Sequence, residues 1–155
     1  IRGLEVAYTQ TFDFLPGYFS GLGFSGSYSY TQSDIQQQTD LSGSTVDITL
    51  PGLSETVYSA TAFYDWERFS TRINVRYRDS FVSEQVAVET QLAFFAEETV
   101  IDYQASYANN DNLTVLFQVN NLTDEPTRTY FNQVAQTGTL QFFGRQYFLG
   151  MSYSL

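Results

Sequence analysis

The residues best placed to do chemistry are three arginines at even spacing. Arg72, Arg76 and Arg78 fall in the stretch FSTRINVRYR, where Phe69, Ile73, Val75 and Tyr77 take the positions between. A period of two puts the three guanidinium groups on one face of a β-strand. Asp65 and Asp102 lie on the polar faces of segments expected to flank it. Such a charge row can bind a wall together through cross-strand ion pairs, or it can guide an anionic solute by focusing potential. The structural role is the expected one, an ion-pair ladder on an interior face.

Other chemistry is thinly supplied. The chain has no His and no Cys, so thiolate chemistry, disulfides and the usual zinc sites fall away. It has no Gly-rich phosphate loop and no Gly-x-Ser-x-Gly elbow. Asp65 and Glu67 are near neighbours, but nothing points to a shared pocket. No cofactor is expected, and an enzyme is not. Asp34, Asp40 and Asp47 offer the oxygen ligands that calcium takes, yet their spacing fits no calcium loop, and solvated acids are expected. A net charge of -10 with scattered arginines and no lysine argues against a nucleic-acid partner.

The elements that carry these residues are strands. Apolar and polar residues alternate over residues 3–12, 21–32, 55–66, 69–78, 99–107, 113–121 and 143–155, and no run of about 18 apolar residues marks a helical span. The second segment sets Leu22, Phe24, Tyr28 and Tyr30 against a face of Ser, Thr and Gly. Connections alternate in length: residues 13–17, 67–68 and 109–112 are short and rich in turn formers, while 33–54, 79–98 and 122–141 are long. Short turns then lie at one end of the sheet and long loops at the other. That asymmetry, with strands of about 9–11 residues, is the pattern of transmembrane β-barrels. The alternative on pattern alone is a soluble β-sandwich binding module with its apolar faces turned inward.

Several stretches resemble the barrel of TonB-dependent outer-membrane receptors. DFLPGYFSGLGFSGSYSYTQS (residues 13–33) is similar to a periplasmic turn and the strand after it. LPGLSETVYSATAFYDWERFSTRINVRYRDSF (50–81) resembles a loop-to-strand entry followed by a hairpin. LTVLFQVNNLTDEPTRTYF (113–131) resembles the penultimate strand with its Asn-Asn-Leu-Thr-Asp signature, and GRQYFLGMSYSL (144–155) the closing strand. The resemblance implies an all-β fold: an antiparallel meander of about seven strands over residues 1–155, forming the C-terminal part of a 22-stranded transmembrane β-barrel. It implies location in the bacterial outer membrane and TonB-dependent active uptake of a siderophore, an oligosaccharide or a similar nutrient. A passive porin-like or adhesin barrel is the alternative within the membrane.

The implied partners are the remaining strands and plug of a longer chain, TonB through an N-terminal region, the outer-membrane assembly machinery, and lipid or lipopolysaccharide. That the chain starts at Ile1 and holds Met151 as its single methionine fits a piece of something longer. Alone, such a piece is expected to self-associate. In the closing strand, Tyr147, Leu149, Met151, Tyr153 and Leu155 resemble an assembly signal, although the family usually ends in Phe or Trp. Phe81, Phe94, Phe95, Tyr130 and Phe131 fall in outer loops, where they can stack on sugars or siderophore rings or fold onto one another. Asn121 to Asp124 are expected to cap a turn, and Arg145 to snorkel toward lipid or mark a register shift.

Overall fold

The computed structural model describes residues 1–38, 45–88 and 91–154; Asp40 and Leu155 lie outside the described residues. In chain order the strands are β1 (Arg2–Thr11), β2 (Leu22–Gln32), β3 (Ile35–Gln38), β4 (Thr45–Ile48), β5 (Thr56–Trp66), β6 (Phe69–Arg78), β7 (Phe81–Val88), β8 (Gln91–Phe95), β9 (Glu98–Ala108), β10 (Leu113–Asn120), β11 (Thr127–Phe131), β12 (Gln133–Gln141) and β13 (Gln146–Tyr153). A short 3-10 helix, Gly17–Gly21, turns the chain between β1 and β2. No helix among the described residues is long and apolar enough to cross a membrane, a fact that does not bear on strands.

Seven long strands form one antiparallel sheet in the order β1-β2-β5-β6-β9-β10-β13. These are the seven segments that alternate in sequence. One correction concerns the long connections, read from sequence as loops. Each contains a hairpin: β3 pairs with β4, β7 with β8 and β11 with β12. Two of the hairpins join through β8 and β11 into a four-stranded sheet, β12-β11-β8-β7.

The register of the large sheet explains the spacing of its apolar residues. One row across it reads Val6, Tyr28, Tyr58, Tyr77 and Thr99, with the Tyr58 and Tyr77 rings stacked at 4.7 Å. Another reads Trp66, Phe69, Tyr107, Val115 and Met151, and Tyr18 leans on Trp66 at 5.1 Å. Between them lies a row of smaller groups including Ala60, Val75 and Ile101. The other rows between them mix aliphatic and aromatic side chains, Phe24, Ala62, Ile73 and Tyr103 in one and Leu22, Tyr64 and Phe117 in the next, so the face is apolar across its width, as the outer surface of a membrane barrel is.

Burial agrees. Leu4, Val6, Tyr58, Ile73, Phe117 and Leu149 are exposed, and the buried apolar side chains among the described residues are Ile48, Val82 and Val119. A sandwich would bury this face against a second sheet; here its large side chains stay exposed or half-exposed, with Val119, between its cross-strand neighbours Tyr103 and Tyr147, the buried exception. The opposite face is closely fitted in places. Gly23 is buried because the Phe63 ring, its neighbour across the β2–β5 pair, lies where a Cβ would stand. The aromatic ring covers the bare glycine backbone, an arrangement that stabilises glycine within a strand.

Candidate functional site

The polar face is built by alternation, and its side chains bond to one another across strands. Thr9 and Ser25 meet at 2.9 Å, Ser27 and Ser59 at 2.9 Å, and the Asn74 amide donates to Thr61 Oγ1 at 2.7 Å. Farther along the sheet the hydroxyls give way to charge. Arg76 reaches Asp102 at 2.7 Å and Arg78 reaches Glu98 at 2.8 Å. Both arginines are well exposed, so each pair contributes only about 0–1 kcal/mol. Their larger effect is to fix where the charges point.

The structure redistributes the charge row expected from sequence. Arg76 and Asp102 come together. Arg78 takes Glu98, which the sequence reading left in a loop. Asp65 accepts a hydrogen bond from the Ser70 hydroxyl, its direct cross-strand neighbour, and is not part of the ladder. Arg72 stands between Phe63 and Gln104 and pairs with no carboxylate among the described residues.

Asp102 has a second role. While Oδ2 holds Arg76, Oδ1 accepts the backbone N–H of Asn121 at 3.0 Å. Asn121 has φ +54, and its side chain caps the turn that follows: Oδ1 accepts the Glu125 N–H at 2.8 Å and Nδ2 donates to the Glu125 carbonyl at 3.0 Å. Arg145 Nε donates to the Leu122 carbonyl at 2.7 Å, just after Gly144 breaks the strand at φ +76. Arg145 therefore sits in the connection between β12 and β13 and ties it to the turn after β10, with the β10–β13 register unbroken.

Under this knot lies a recess of about 630 Å³. The amides of Asn74, Gln118, Asn120 and Gln146 line it, with Phe143 at its edge. Arg76, Asp102, Glu98 and Glu125 supply its charge. Arg76 is paired with Asp102 and Glu98 with Arg78, which leaves Glu125 as the carboxylate in excess, so the recess disfavours anions and offers donors and acceptors in quantity to neutral polar solutes. No sequence motif marks it. The signal available was the alternation that places Gln118, Asn120 and Gln146 on the polar face.

The aromatic residues of the hairpins beyond the large sheet are engaged with one another. Phe81 stacks on Phe95 at 4.9 Å and Phe94 on Tyr130 at 5.2 Å, while Phe131 lies opposite Ala93. The Arg78 guanidinium covers the Phe81 ring at 4.7 Å. On β13, Tyr147, Leu149, Met151 and Tyr153 are all exposed on the apolar face, where they pair with Val119, Phe117, Val115 and Leu113. Asp34 and Asp47 are exposed, and no group of three or more acidic residues that could hold a metal occurs among the described residues.

Comparison with protein-family models matches residues 1–122 to the TonB dependent receptor-like β-barrel. Neither the curated proteins nor the solved structures gave a match. The match covers six of the seven long strands, β1 through β10, and ends at Leu122 in the capped turn. With an open apolar face, two aromatic rows and a polar inner wall on the page, the chain belongs to the TonB-dependent receptor-like β-barrel family of the bacterial outer membrane.

Proposed function

We propose that this chain forms part of the wall of an outer-membrane receptor for TonB-dependent active uptake, and that the recess under the capped turn contacts the nutrient. The observation that carries this reading is the convergence of four amides on the inner face beside Phe143. Amides and carboxylates can hydrogen-bond both ways to hydroxyl groups, and an aromatic edge suits the apolar face of a sugar ring. The excess carboxylate argues against an anionic ferric siderophore. A neutral oligosaccharide is the ligand class that fits best.

The rest of the receptor supplies what this wall lacks. The remaining strands close the barrel, a plug fills it, and TonB acts through the plug-bearing region. The outer-membrane assembly machinery inserts the barrel, and lipid or lipopolysaccharide covers the apolar face.

Binding to the purified full-length receptor tests the reading. Maltohexaose, cellohexaose and xylohexaose are titrated by calorimetry beside a ferric siderophore. At least one sugar is expected to bind saturably, and Gln118→Ala or Gln146→Ala to weaken it about tenfold, the effect of losing one hydrogen bond of ~1.4 kcal/mol. Binding of the siderophore alone, unchanged by both substitutions, would overturn the sugar assignment. Accumulation of labelled ligand in cells that persists without TonB would overturn active uptake.

A further inference from the structure

The chain passes between the two sheets at four breaks, across residues 79–80, 96–97, 121–126 and 142–145. Side chains on either side of them show which face of the small sheet continues the polar face. Arg78, paired with Glu98 at the rim of the recess, covers the Phe81 ring, and Phe81 stacks on Phe95. Thr127, which opens β11, lines the recess itself. Thr129 and Phe131 follow it at intervals of two on the same face, and Thr129 is the direct neighbour of Phe95 across the β8–β11 pair.

These residues form a shelf above the recess. Its floor is the Thr129 hydroxyl and the bare backbone of Gly138 on β12, where a Cβ would stand 2.7 Å from Thr129 Oγ1 and 3.2 Å from Phe131 Cε2. Phe95 flanks the floor across the sheet and Phe131 along the strand. Phe81 and, through it, the Arg78 guanidinium hold Phe95 from behind; both flanking rings are only half-buried. Thr129 Oγ1 accepts the Thr139 N–H at 2.8 Å, which leaves its own O–H to donate. None of the four shelf residues carries charge.

We propose that Phe95, Thr129, Phe131 and Gly138 form a second sugar subsite, and that it makes the receptor select oligosaccharides over disaccharides. This rests on the reading of the recess as a sugar site. Rings beside a hydroxyl, with no charge, suit a pyranose unit: its C–H face packs on an aromatic and its hydroxyls find a donor. From Thr127 to Phe131 β11 advances about 13 Å, so a ligand that touches recess and shelf together is longer than one sugar ring.

Calorimetry on the full-length receptor tests this, with maltohexaose, cellohexaose and xylohexaose each titrated beside maltose, cellobiose and xylobiose. The hexaose that binds is expected to do so at least about tenfold more tightly than its disaccharide. Phe131→Leu removes a ring that stacks on no other among the described residues, and Gly138→Ala puts a methyl group on the shelf. Each is expected to lower the hexaose affinity, and its ratio to the disaccharide affinity, at least about threefold. The ratio compares two ligands on one preparation, so partial misfolding cancels. A ratio near one in the unaltered receptor, or hexaose binding that both substitutions leave unchanged, would overturn the subsite while the recess stands. Failure of all three hexaoses to bind would remove the sugar reading and the subsite together.

Discussion

The two sheets are built from one continuous set of strands, yet they obey different rules. In the large sheet β5 with β6 and β6 with β9 each keep register over ten consecutive pairs. In the small sheet β11 and β12 shift register twice within five residues of β11, and β7 and β8 shift twice as well. The wall has a solvent on each side that demands a different chemistry, so a slip of one residue would turn Tyr and Ile toward water and Arg toward lipid. Beyond the breaks no such difference exists between the faces. There the adjacent Phe94 and Phe95 point to opposite sides and both find stacking partners. Register in this molecule is strict where the surroundings are asymmetric and relaxed where they are not.

The sharpest test of that contrast places charge on each sheet of the full-length receptor. Ile73→Arg falls midway between Phe69 and Tyr77 on the lipid face, and it is expected to cost about 2–4 kcal/mol. Val134→Arg on the exposed β12 should stay within about 0.5 kcal/mol. Urea unfolding in lipid vesicles measures both; equal costs would mean that the large sheet does not face lipid.

Packing offers the next test. A side chain at Gly23 would run into the Phe63 ring at 2.1 Å, whereas at Gly138 the nearest obstacle is the smaller Thr129 hydroxyl at 2.7 Å. Gly23→Ala is expected to destabilise by about 1–3 kcal/mol and to be partly relieved by Phe63→Ala. Gly138→Ala should cost less than ~1 kcal/mol. An additive double substitution would mean that the ring does not cover the glycine.

At the boundary between the sheets, Asn121→Ala removes the cap and leaves a β-carbon at positive φ. A loss of about 1–2 kcal/mol is expected, and Asn121→Gly should recover part of it by removing the steric penalty. If alanine and glycine behave alike in thermal melts, φ is not the constraint there. The smallest effect belongs to Arg78→Gln, at most about 1 kcal/mol and shrinking as salt is added. A loss that salt does not reduce would point to the Phe81 ring, not Glu98, as the partner that matters.

Strands of the wall were readable in the sequence because lipid and water impose period two. The hairpins beyond the breaks were not, because Gln-Val-Ala-Gln-Thr-Gly-Thr-Leu-Gln alternates nothing and Phe94-Phe95 marks both faces at once. Glu98 was missed for a related reason: it opens β9 directly after Ala-Glu, where the composition still reads as loop. Asp65 shows the converse. Alternation placed it on the correct face, but only the register reveals that Ser70, and not an arginine, stands opposite. The recess could be seen in outline as amides on even positions; that Asp102 joins the arginine to the Asn121 turn depends on geometry that spacing does not encode.

The aromatic rows carry one more consequence. Tyr58 and Trp66 are eight residues apart on β5, about 26 Å along the strand and about 20 Å along the membrane normal at a tilt near 40°. A lone helix meets a membrane of the wrong thickness by leaning over. Strands locked in register to both neighbours cannot lean one at a time, so the hydrophobic mismatch falls on the lipid, which must thin around the barrel or be thin already. The spacing of two rows of side chains thus acts as a gauge, and the membrane that fits it is the one in which this wall is at rest.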